Sequence, residues 1–182
     1  MLRKFPKQIK RIVVKIGSSV IATYKVRPNE SQLPSIVGQI CKLNTQGIEV
    51  VLVSSGAIVL GMLELAEQKR PNDLASLQAR AAIGQGVLMG TYSHLFVTAQ
   101  SESKKCAQVL LTWDDFDNRQ RYINARNTLN AILEKKVIPI INENDTISTD
   151  EIKFGDNDKL AALVAGLVQA DLLVILSDVE GL

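Results

Sequence analysis

The feature that most constrains the fold is a regular alternation of short apolar runs with longer helical patterns. The apolar runs are rich in Val, Ile and Leu on both alternating faces, which is typical of parallel strands buried on both sides. They predict strands at Ile12–Ile16, Val50–Val53, Gln108–Leu111, Val137–Ile141 and Leu172–Leu176. The helical patterns predict helices at Ser31–Thr45, Ala57–Ala66, Leu74–Gln100, Arg119–Glu134 and Asn157–Val168. This order predicts an α/β fold, a mostly parallel sheet with helices on both faces.

Composition excludes several classes of protein. The 182 residues carry a net charge of only +2, which is too balanced to indicate a nucleic-acid partner. The first ten residues lack the apolar stretch of a signal peptide, and no apolar run approaches the length of a membrane span. Cys41 and Cys106 are isolated and have no metal-type spacing. We therefore expect a cytoplasmic protein with reduced thiols and no membrane or nucleic-acid partner.

Small or polar residues follow four of the five predicted strands. They are Lys15 to Ser19, Ser54 to Ala57, Asn142 to Asp145, and the pair Ser177-Asp178. Ligands of open α/β sheets bind just beyond the carboxyl ends of the strands. The sequence therefore predicts a ligand site along this single edge.

The first of these segments has the chemistry of an anion site. Lys15 ends an apolar strand, where an ammonium group is either paired with a carboxylate or left for an anionic ligand. Gly17 allows a phosphate close to the backbone, and Ser18 and Ser19 offer hydroxyl and N–H donors. A turn with a lysine that extends to solvent is the alternative interpretation.

The second segment, Ser54-Ser55-Gly56, is predicted to open a helix. The free N–H groups and positive dipole end of a helix start favour a carboxylate or a phosphate. An ordinary serine N-cap is the alternative, and for this segment taken alone it is the favoured one.

The third segment is the acidic tract from Asn142 to Asp158. Carboxylate and amide groups there could hold an ammonium, such as the α-amino group of an amino acid. Asp145 and Asn157 flank a predicted hairpin or flap at Thr146–Phe154 and return to the same edge. A solvated loop is the alternative, whereas an EF-hand is excluded by the ligand spacing.

Missing motifs narrow the chemistry further. The chain has neither a P-loop nor the protein-kinase motifs, and Gly84-Gln85-Gly86 lies inside a helical pattern, where it indicates helix packing. The single histidine, His94, lies away from every motif, so no general base is evident. A carboxylate acceptor is already ionised at neutral pH and needs no base, whereas a hydroxyl acceptor usually does.

Six segments together resemble the amino acid kinase family, in particular its branch that phosphorylates the side-chain carboxylate of glutamate. They are Val13 to Ser19, Val53 to Ile58, Asn124 to Leu129, Ile141 to Asp145, Gly155 to Asp158 and Leu176 to Asp178. The resemblance covers essentially the whole chain, with the motifs in the family's order. It implies a three-layer αβα sandwich, and transfer of phosphate from ATP with Mg²⁺ to L-glutamate as the first step toward proline.

The resemblance also implies residue roles. Lys15 would contact the transferring phosphate, and Asp158 would orient Lys15. Gly17, Ser18, Ser177 and Asp178 would bind the nucleotide together with Lys15, and Mg²⁺ would be carried on the phosphates. Glutamate would be bound by Ser55, Gly56, Asn142, Asp145 and Asn157. Proline is expected as a possible feedback inhibitor, and the protein is expected to form a homo-oligomer.

Relatives continue past Gly181-Leu182 with the rest of the nucleotide pocket, and many add a PUA domain. We therefore expect residues 1–182 to form the glutamate-binding part and the start of the nucleotide-binding part, with an incomplete ATP site. Alternatives that remain are a related kinase acting on acetylglutamate or aspartate, and a non-catalytic amino-acid-binding fragment. A dehydrogenase is a more distant one.

Overall fold

The computed structural model describes residues 8–99, 105–148 and 156–176. Within them, five strands form one sheet in the order β3-β4-β2-β1-β5, and every neighbouring pair is parallel. The strands are β1 (Arg11–Ile16), β2 (Glu49–Ser54), β3 (Cys106–Leu111), β4 (Ile138–Glu143) and β5 (Leu172–Leu176). The predicted parallel sheet is confirmed.

In the described part of the chain, seven α-helices cover the sheet. They are α1 (Ser18–Val26), α2 (Leu33–Thr45), α3 (Ala57–Glu64), α4 (Leu74–Thr98), α5 (Asp114–Asp117), α6 (Arg119–Glu134) and α7 (Asp156–Leu167), with a short 3-10 helix at Pro28–Glu30. The five predicted helices are all present, whereas α1 and α5 were not predicted. None of the helices in the described ranges is long and apolar enough to cross a membrane.

The alternation of side chains along the strands divides the core into two layers. Ile12, Val14 and Ile16 of β1 pack with α1 to α4 on one face of the sheet. Val13 packs with α6 and α7 on the other face. This is the expected αβα sandwich, because strands buried on both faces need a helical layer on each side.

The same alternation decides which layer each polar strand residue meets. Lys15 lies two positions after Val13, so its side chain emerges on the α7 side of the sheet. Asn142 lies two positions after Ile140, so it emerges on the α4 side. Polar groups from both layers can therefore meet only where the strands end.

Helix α1 begins within the segment predicted as an anion site, Lys15 to Ser19. Its sequence, Ser18 to Val26, contains several β-branched residues and has no acidic residue in its first turn. Both features weaken the helical signal in the sequence. Packing stabilises the helix instead, because Ile21 is buried against Gly56, where an added Cβ would lie 3.3 Å from the Ile21 side chain.

Helices α3 and α4 cross at very close range. A Cβ added to Gly84 would lie 1.7 Å from the carbonyl oxygen of Ala57, and one added to Gly61 would lie 2.0 Å from that of Arg80. Such distances leave no room for any side chain. The prediction that Gly84 serves helix packing is confirmed, and the crossing brings Gln85 close to the start of α3.

Candidate active site

The carboxyl ends of β1, β2 and β4 meet the amino end of α7 at one edge of the sheet. The side chain of Lys15 is 11% exposed, and its Nζ lies 2.7 Å from Asp158 Oδ1 in the first turn of α7. Asp158 is far more open, with a side chain 51% exposed. The ion pair therefore joins a nearly buried ammonium group to an exposed carboxylate at this edge of the sheet.

Lys15 Nζ also lies above the backbone that follows β1. A Cβ added to Gly17 would be 3.7 Å from Lys15 Nζ, an ordinary contact distance, so the backbone at Gly17 lies directly beside the ammonium group. Gly17 is the N-cap of α1, and Ser18 is its first residue. The free N–H groups of this helix start therefore lie beside the ammonium group, an arrangement that suits an anion.

Helix α3 begins directly after β2 and brings a second helix start to this edge. Its N-cap is Gly56, whose φ of 108° is in the left-handed region, and no side chain caps the helix. The interpretation of this segment as an ordinary serine N-cap is therefore wrong. The hydroxyl of Ser55 instead accepts a hydrogen bond from Asn157 Nδ2 at 2.7 Å.

Asn157 connects α7 to β2 and β4. Besides Ser55, its Nδ2 donates to the carbonyl oxygen of Ser54 at 3.0 Å and to Asn142 Oδ1 at 3.1 Å. Asn142 is only 3% exposed and donates through Nδ2 to Gln85 Oε1 at 2.9 Å. Residues more than 100 positions apart are thus joined by one set of polar contacts at the strand ends.

Asp145 follows β4 in a turn that leaves its carboxyl group largely desolvated. Burial, reinforced by the charge of Glu143 and opposed by Arg70, raises the pKa of Asp145 to about 7. Nearby, Ser148 Oγ donates to Glu143 Oε1 at 3.0 Å. A desolvated carboxyl group beside a second acid is costly to ionise without a partner. A ligand cation would favour its ionised form.

A buried tyrosine supports this edge from the α4 side. Tyr92 OH and Ser54 Oγ are 2.9 Å apart, and the phenol is fully buried. Burial raises the pKa of Tyr92, so the phenol stays protonated at every physiological pH. The contact ties the end of β2 to α4.

The structure brings most of the predicted site residues together. Lys15, Gly17, Ser18, Ser55, Gly56, Asn142, Asp145, Asn157 and Asp158 all lie at or directly after the carboxyl edge. Ser177, Asp178 and residues 149–154 of the predicted flap lie outside the described residues. Of the described flap residues, Thr146 and Ile147 lie in a turn that begins at Asp145.

Gln85 is the polar residue that the sequence interpretation overlooked. Its side chain is buried and contacts Asn142, although the sequence places it among small and apolar residues in the middle of α4. A glutamine on the buried face of a long helix was the one available signal. The segment Gly84-Gln85-Gly86 lies inside a helical pattern, which indicates packing, and the partner of Gln85 is 57 positions away, where no local pattern reveals it.

The fold and this site define a class, and comparison with known proteins agrees. The chain belongs to the amino acid kinase family, whose model matches residues 10–182. The resemblance drawn from the motifs is therefore confirmed.

Individual relatives narrow the comparison. The chain is 50% identical over 174 residues to glutamate 5-kinase 2 of Bacillus subtilis (strain 168), covering 96% of this chain and 46% of that protein. It is 53% identical over 176 residues to glutamate 5-kinase of Nitrosospira multiformis, covering 97% of this chain and 46% of that protein. The chain thus spans somewhat less than half the length of these curated relatives.

Among solved structures, N-acetylglutamate synthase from Neisseria gonorrhoeae, crystallised with coenzyme A and L-arginine, superposes with a TM-score of 0.62. The two chains are 18% identical, and the match covers 95% of this chain and 44% of the other. At this identity the likeness concerns the fold alone.

Proposed function

We propose that this chain supplies the glutamate site and the phosphate-binding lysine of an ATP-dependent kinase that forms L-glutamyl 5-phosphate, the first step of proline biosynthesis. The observation that carries the proposal is the nearly buried Lys15, held 2.7 Å from Asp158 between the starts of α1 and α7. The names of the relatives at about 50% identity support glutamate as the acceptor.

The arrangement suits phosphate transfer to a carboxylate. An oxygen of the glutamate side chain attacks the γ-phosphorus of ATP, a P–O bond forms to the acyl oxygen, and the bond to the β-phosphate oxygen breaks to release ADP. No proton has to be removed, because the attacking carboxylate is ionised at neutral pH. The chief obstacle is the approach of two anions, which a positioned cation and helix N–H groups lower.

Each group has a role that follows from its charge. Lys15 places a positive charge at the transferring phosphate, where charge spreads in the transition state. Asp158 holds the ammonium group in position. Gly17 and Ser18 offer N–H groups to the phosphates, and Ser177 and Asp178 are proposed to contact the nucleotide.

The residues present fit the phosphates better than they fit a metal. Lys15 and the N–H groups of the helix starts are donors for anions. In the described ranges no three His, Cys, Asp or Glu side chains are grouped closely enough to hold a metal ion. Mg²⁺ bound to the nucleotide would neutralise part of the phosphate charge.

Glutamate recognition is assigned to the other half of the site. The Asp145 carboxylate and the Asn157 amide are proposed to bind the α-ammonium group, with Asn142 holding Asn157. Ser55 and the backbone at Gly56 are proposed to bind a carboxylate. The negative charge of Asp145 would pair with the α-ammonium group of a free amino acid. An N-acylated amino acid lacks that positive charge and would be disfavoured.

The direct test is an assay for the acyl phosphate. Hydroxylamine converts glutamyl phosphate to a hydroxamate, which is measured with ATP and L-glutamate, L-aspartate or N-acetylglutamate as acceptor. The 182-residue chain is assayed alone and joined to the carboxyl-terminal half of the Bacillus subtilis relative. We expect product with glutamate in the joined protein and little in the chain alone.

Two results would contradict the proposal. Hydroxamate formed with N-acetylglutamate or aspartate in preference to glutamate would assign the chain to another acceptor. Glutamate binding with no phosphate transfer in the joined protein would favour an amino-acid-binding module.

Three further experiments test the remaining proposals. Adding L-proline to the hydroxamate assay tests feedback inhibition, and measuring the mass of the protein in solution tests the homo-oligomer. Fractionation of cells tests the cytoplasmic location.

A further inference from the structure

Four side-chain amides form a continuous chain of hydrogen bonds from the exposed edge of the sheet to the candidate active site. Gln85 Nε2 donates to Gln108 Oε1 on β3 at 3.3 Å, and Gln85 Oε1 accepts from Asn142 Nδ2 at 2.9 Å. Asn142 Oδ1 then accepts from Asn157 Nδ2 at 3.1 Å. Strand alternation explains the path, because Gln108 pairs with Ile140 on the face of the sheet that α4 covers.

Two backbone groups fix the direction of this series of amide hydrogen bonds. The N–H of Glu143 donates to Asn142 at 2.9 Å, so the atom it meets must be the amide oxygen. The carbonyl oxygen of Ser54 accepts from Asn157 at 3.0 Å, so the atom it meets must be the amide nitrogen. With Asn142 and Asn157 oriented, only the oxygen of Gln85 can face Asn142 Nδ2.

This direction determines what the chain presents at its inner end. The two hydrogens of Asn157 Nδ2 are shared among Ser54, Ser55 and Asn142, and no described residue donates to Asn157 Oδ1. Asn157 therefore keeps an acceptor for a ligand. Ser55 Oγ accepts from Asn157, so its own O–H remains able to donate.

We propose that Gln85 is a positioning residue of the glutamate site, acting through Asn142 on Asn157. Its amide oxygen keeps Asn142 Nδ2 turned away from the site, and Asn142 Oδ1 in turn holds Asn157 Nδ2. The Asn157 oxygen is thereby left as an acceptor for the α-ammonium group, and the Ser55 hydroxyl is left as a donor for a carboxylate. The assignment deepens the proposed function and rests on it.

The close crossing of α3 and α4 explains how a helix residue can do this. Gly84 allows the backbone of α4 to touch Ala57 at the start of α3. The next residue, Gln85, is thereby held against the strand ends with 9% exposure. Because Asn142 is also nearly buried, water cannot readily replace the bond if Gln85 is removed.

The test measures discrimination between two ligands by calorimetry on the full chain. L-Glutamate and glutarate differ in the α-ammonium group, so the ratio of their dissociation constants reports how well that group is recognised. Gln85→Met keeps the length and volume of the side chain but removes its acceptor. We expect L-glutamate affinity to fall about tenfold, the effect of one hydrogen bond to a charged group, while glutarate changes less than about twofold.

Two variants separate positioning from general loosening. Gln85→Glu keeps an oxygen facing Asn142 Nδ2, so the ratio should stay at or above that of the unmodified chain. Leu88→Ala removes a fully buried side chain from the same helix and should lower the melting temperature without lowering the ratio. If Gln85→Met does not fold, Gln85→Asn, which is too short to reach Asn142, carries the same expectation.

Three outcomes would overturn the assignment. A folded Gln85→Met protein with an unchanged ratio would show that Asn157 needs no support from α4. An equal fall of the ratio in Leu88→Ala would show that the effect of Gln85→Met comes from lost packing. Failure of the unmodified chain to prefer L-glutamate over glutarate would instead contradict the proposed function, and the positioning role would fall with it.

Discussion

The two ends of β1 each carry a cation, and the two cations are treated very differently. At the amino end, the guanidinium of Arg11 donates to Glu49 at 2.7 Å, to Asn130 at 3.0 Å and to the carbonyl oxygen of Val168. At the carboxyl end, Lys15 has one ion pair within the described residues, with Asp158. Arg11 is more exposed, yet it has more partners.

The difference separates a structural cation from one kept for a ligand. The five N–H donors of a guanidinium suit the joining of several elements, and Arg11 connects β1, β2, α6 and the end of α7. An ammonium group has three donors, and a nearly buried one with a single acidic partner retains capacity for a further anion. The carboxyl edge of the sheet is thus the end of β1 that is left incomplete.

The largest expected effect is on Lys15. In the joined protein, Lys15→Ala should lower turnover by about 10³-fold, because charge on the transferring phosphate would lose its nearest cation. The KM for glutamate should change far less. Steady-state kinetics of the hydroxamate assay measures both, and Lys15→Arg is not expected to restore activity because the guanidinium is larger and planar.

Stability should respond little to the same change. Asp158, the partner left behind, is half exposed and can be solvated. Thermal unfolding of Lys15→Ala should therefore resemble that of the unmodified chain. Normal turnover in this variant would remove Lys15 from the mechanism.

Asp158→Asn should have the second largest effect. The substitution keeps the size of the side chain but removes the charge that holds Lys15, so we expect turnover to fall about 10²-fold. If Asp158 only favoured the start of α7, activity would be retained and the loss would be about 0.3–1 kcal/mol of stability. Kinetics and thermal unfolding of one variant decide between these two results.

The third prediction concerns pH and glutamate affinity. Because the pKa of Asp145 is raised to about 7, its carboxyl is mostly protonated at lower pH and cannot attract an ammonium group. The apparent dissociation constant for glutamate should therefore rise about tenfold per pH unit below 7 and level off above it. Calorimetric titrations at intervals of about half a pH unit, from about pH 5.5 to about pH 8, measure this change in the dissociation constant.

Asp145→Asn provides the control for this titration. The amide cannot ionise, so binding should be weaker at pH 8 and nearly independent of pH. A pH dependence that survives in this variant would assign the titration to another group.

The smallest expected effect on activity is at Arg11. Arg11→Met keeps much of the apolar length of the side chain but leaves Glu49 and the Val168 carbonyl without their donor. We expect a loss of about 1–3 kcal/mol of stability with turnover within about twofold of the unmodified protein. Urea unfolding and the hydroxamate assay test the two halves of this prediction, and a large loss of turnover would end the distinction between the two ends of β1.

Much of the fold follows from local patterns. Helix α6 and strand β5 have the predicted boundaries, Arg119–Glu134 and Leu172–Leu176, because both are defined by local signals. The side chain of Asn118 caps the start of α6, and β5 is one continuous apolar run. Helix α1 could not be predicted in this way, because its stability comes from the contact of Ile21 with Gly56 on a different element. The four-residue helix α5 is too short to show a period.

The sequence by itself determined the chemical groups and the edge at which they meet, because parallel strands bring their carboxyl ends together. Lys15, Ser55, Asn142 and Asp145 were found for that reason. The family resemblance implies that Asp158 orients Lys15, and the structure adds the distance of 2.7 Å between them. Only the tertiary structure decided the strand order and the amide chain through Gln85. These depend on packing between residues far apart in the chain, as does the raised pKa of Asp145, since burial and neighbouring charge are properties of the folded molecule.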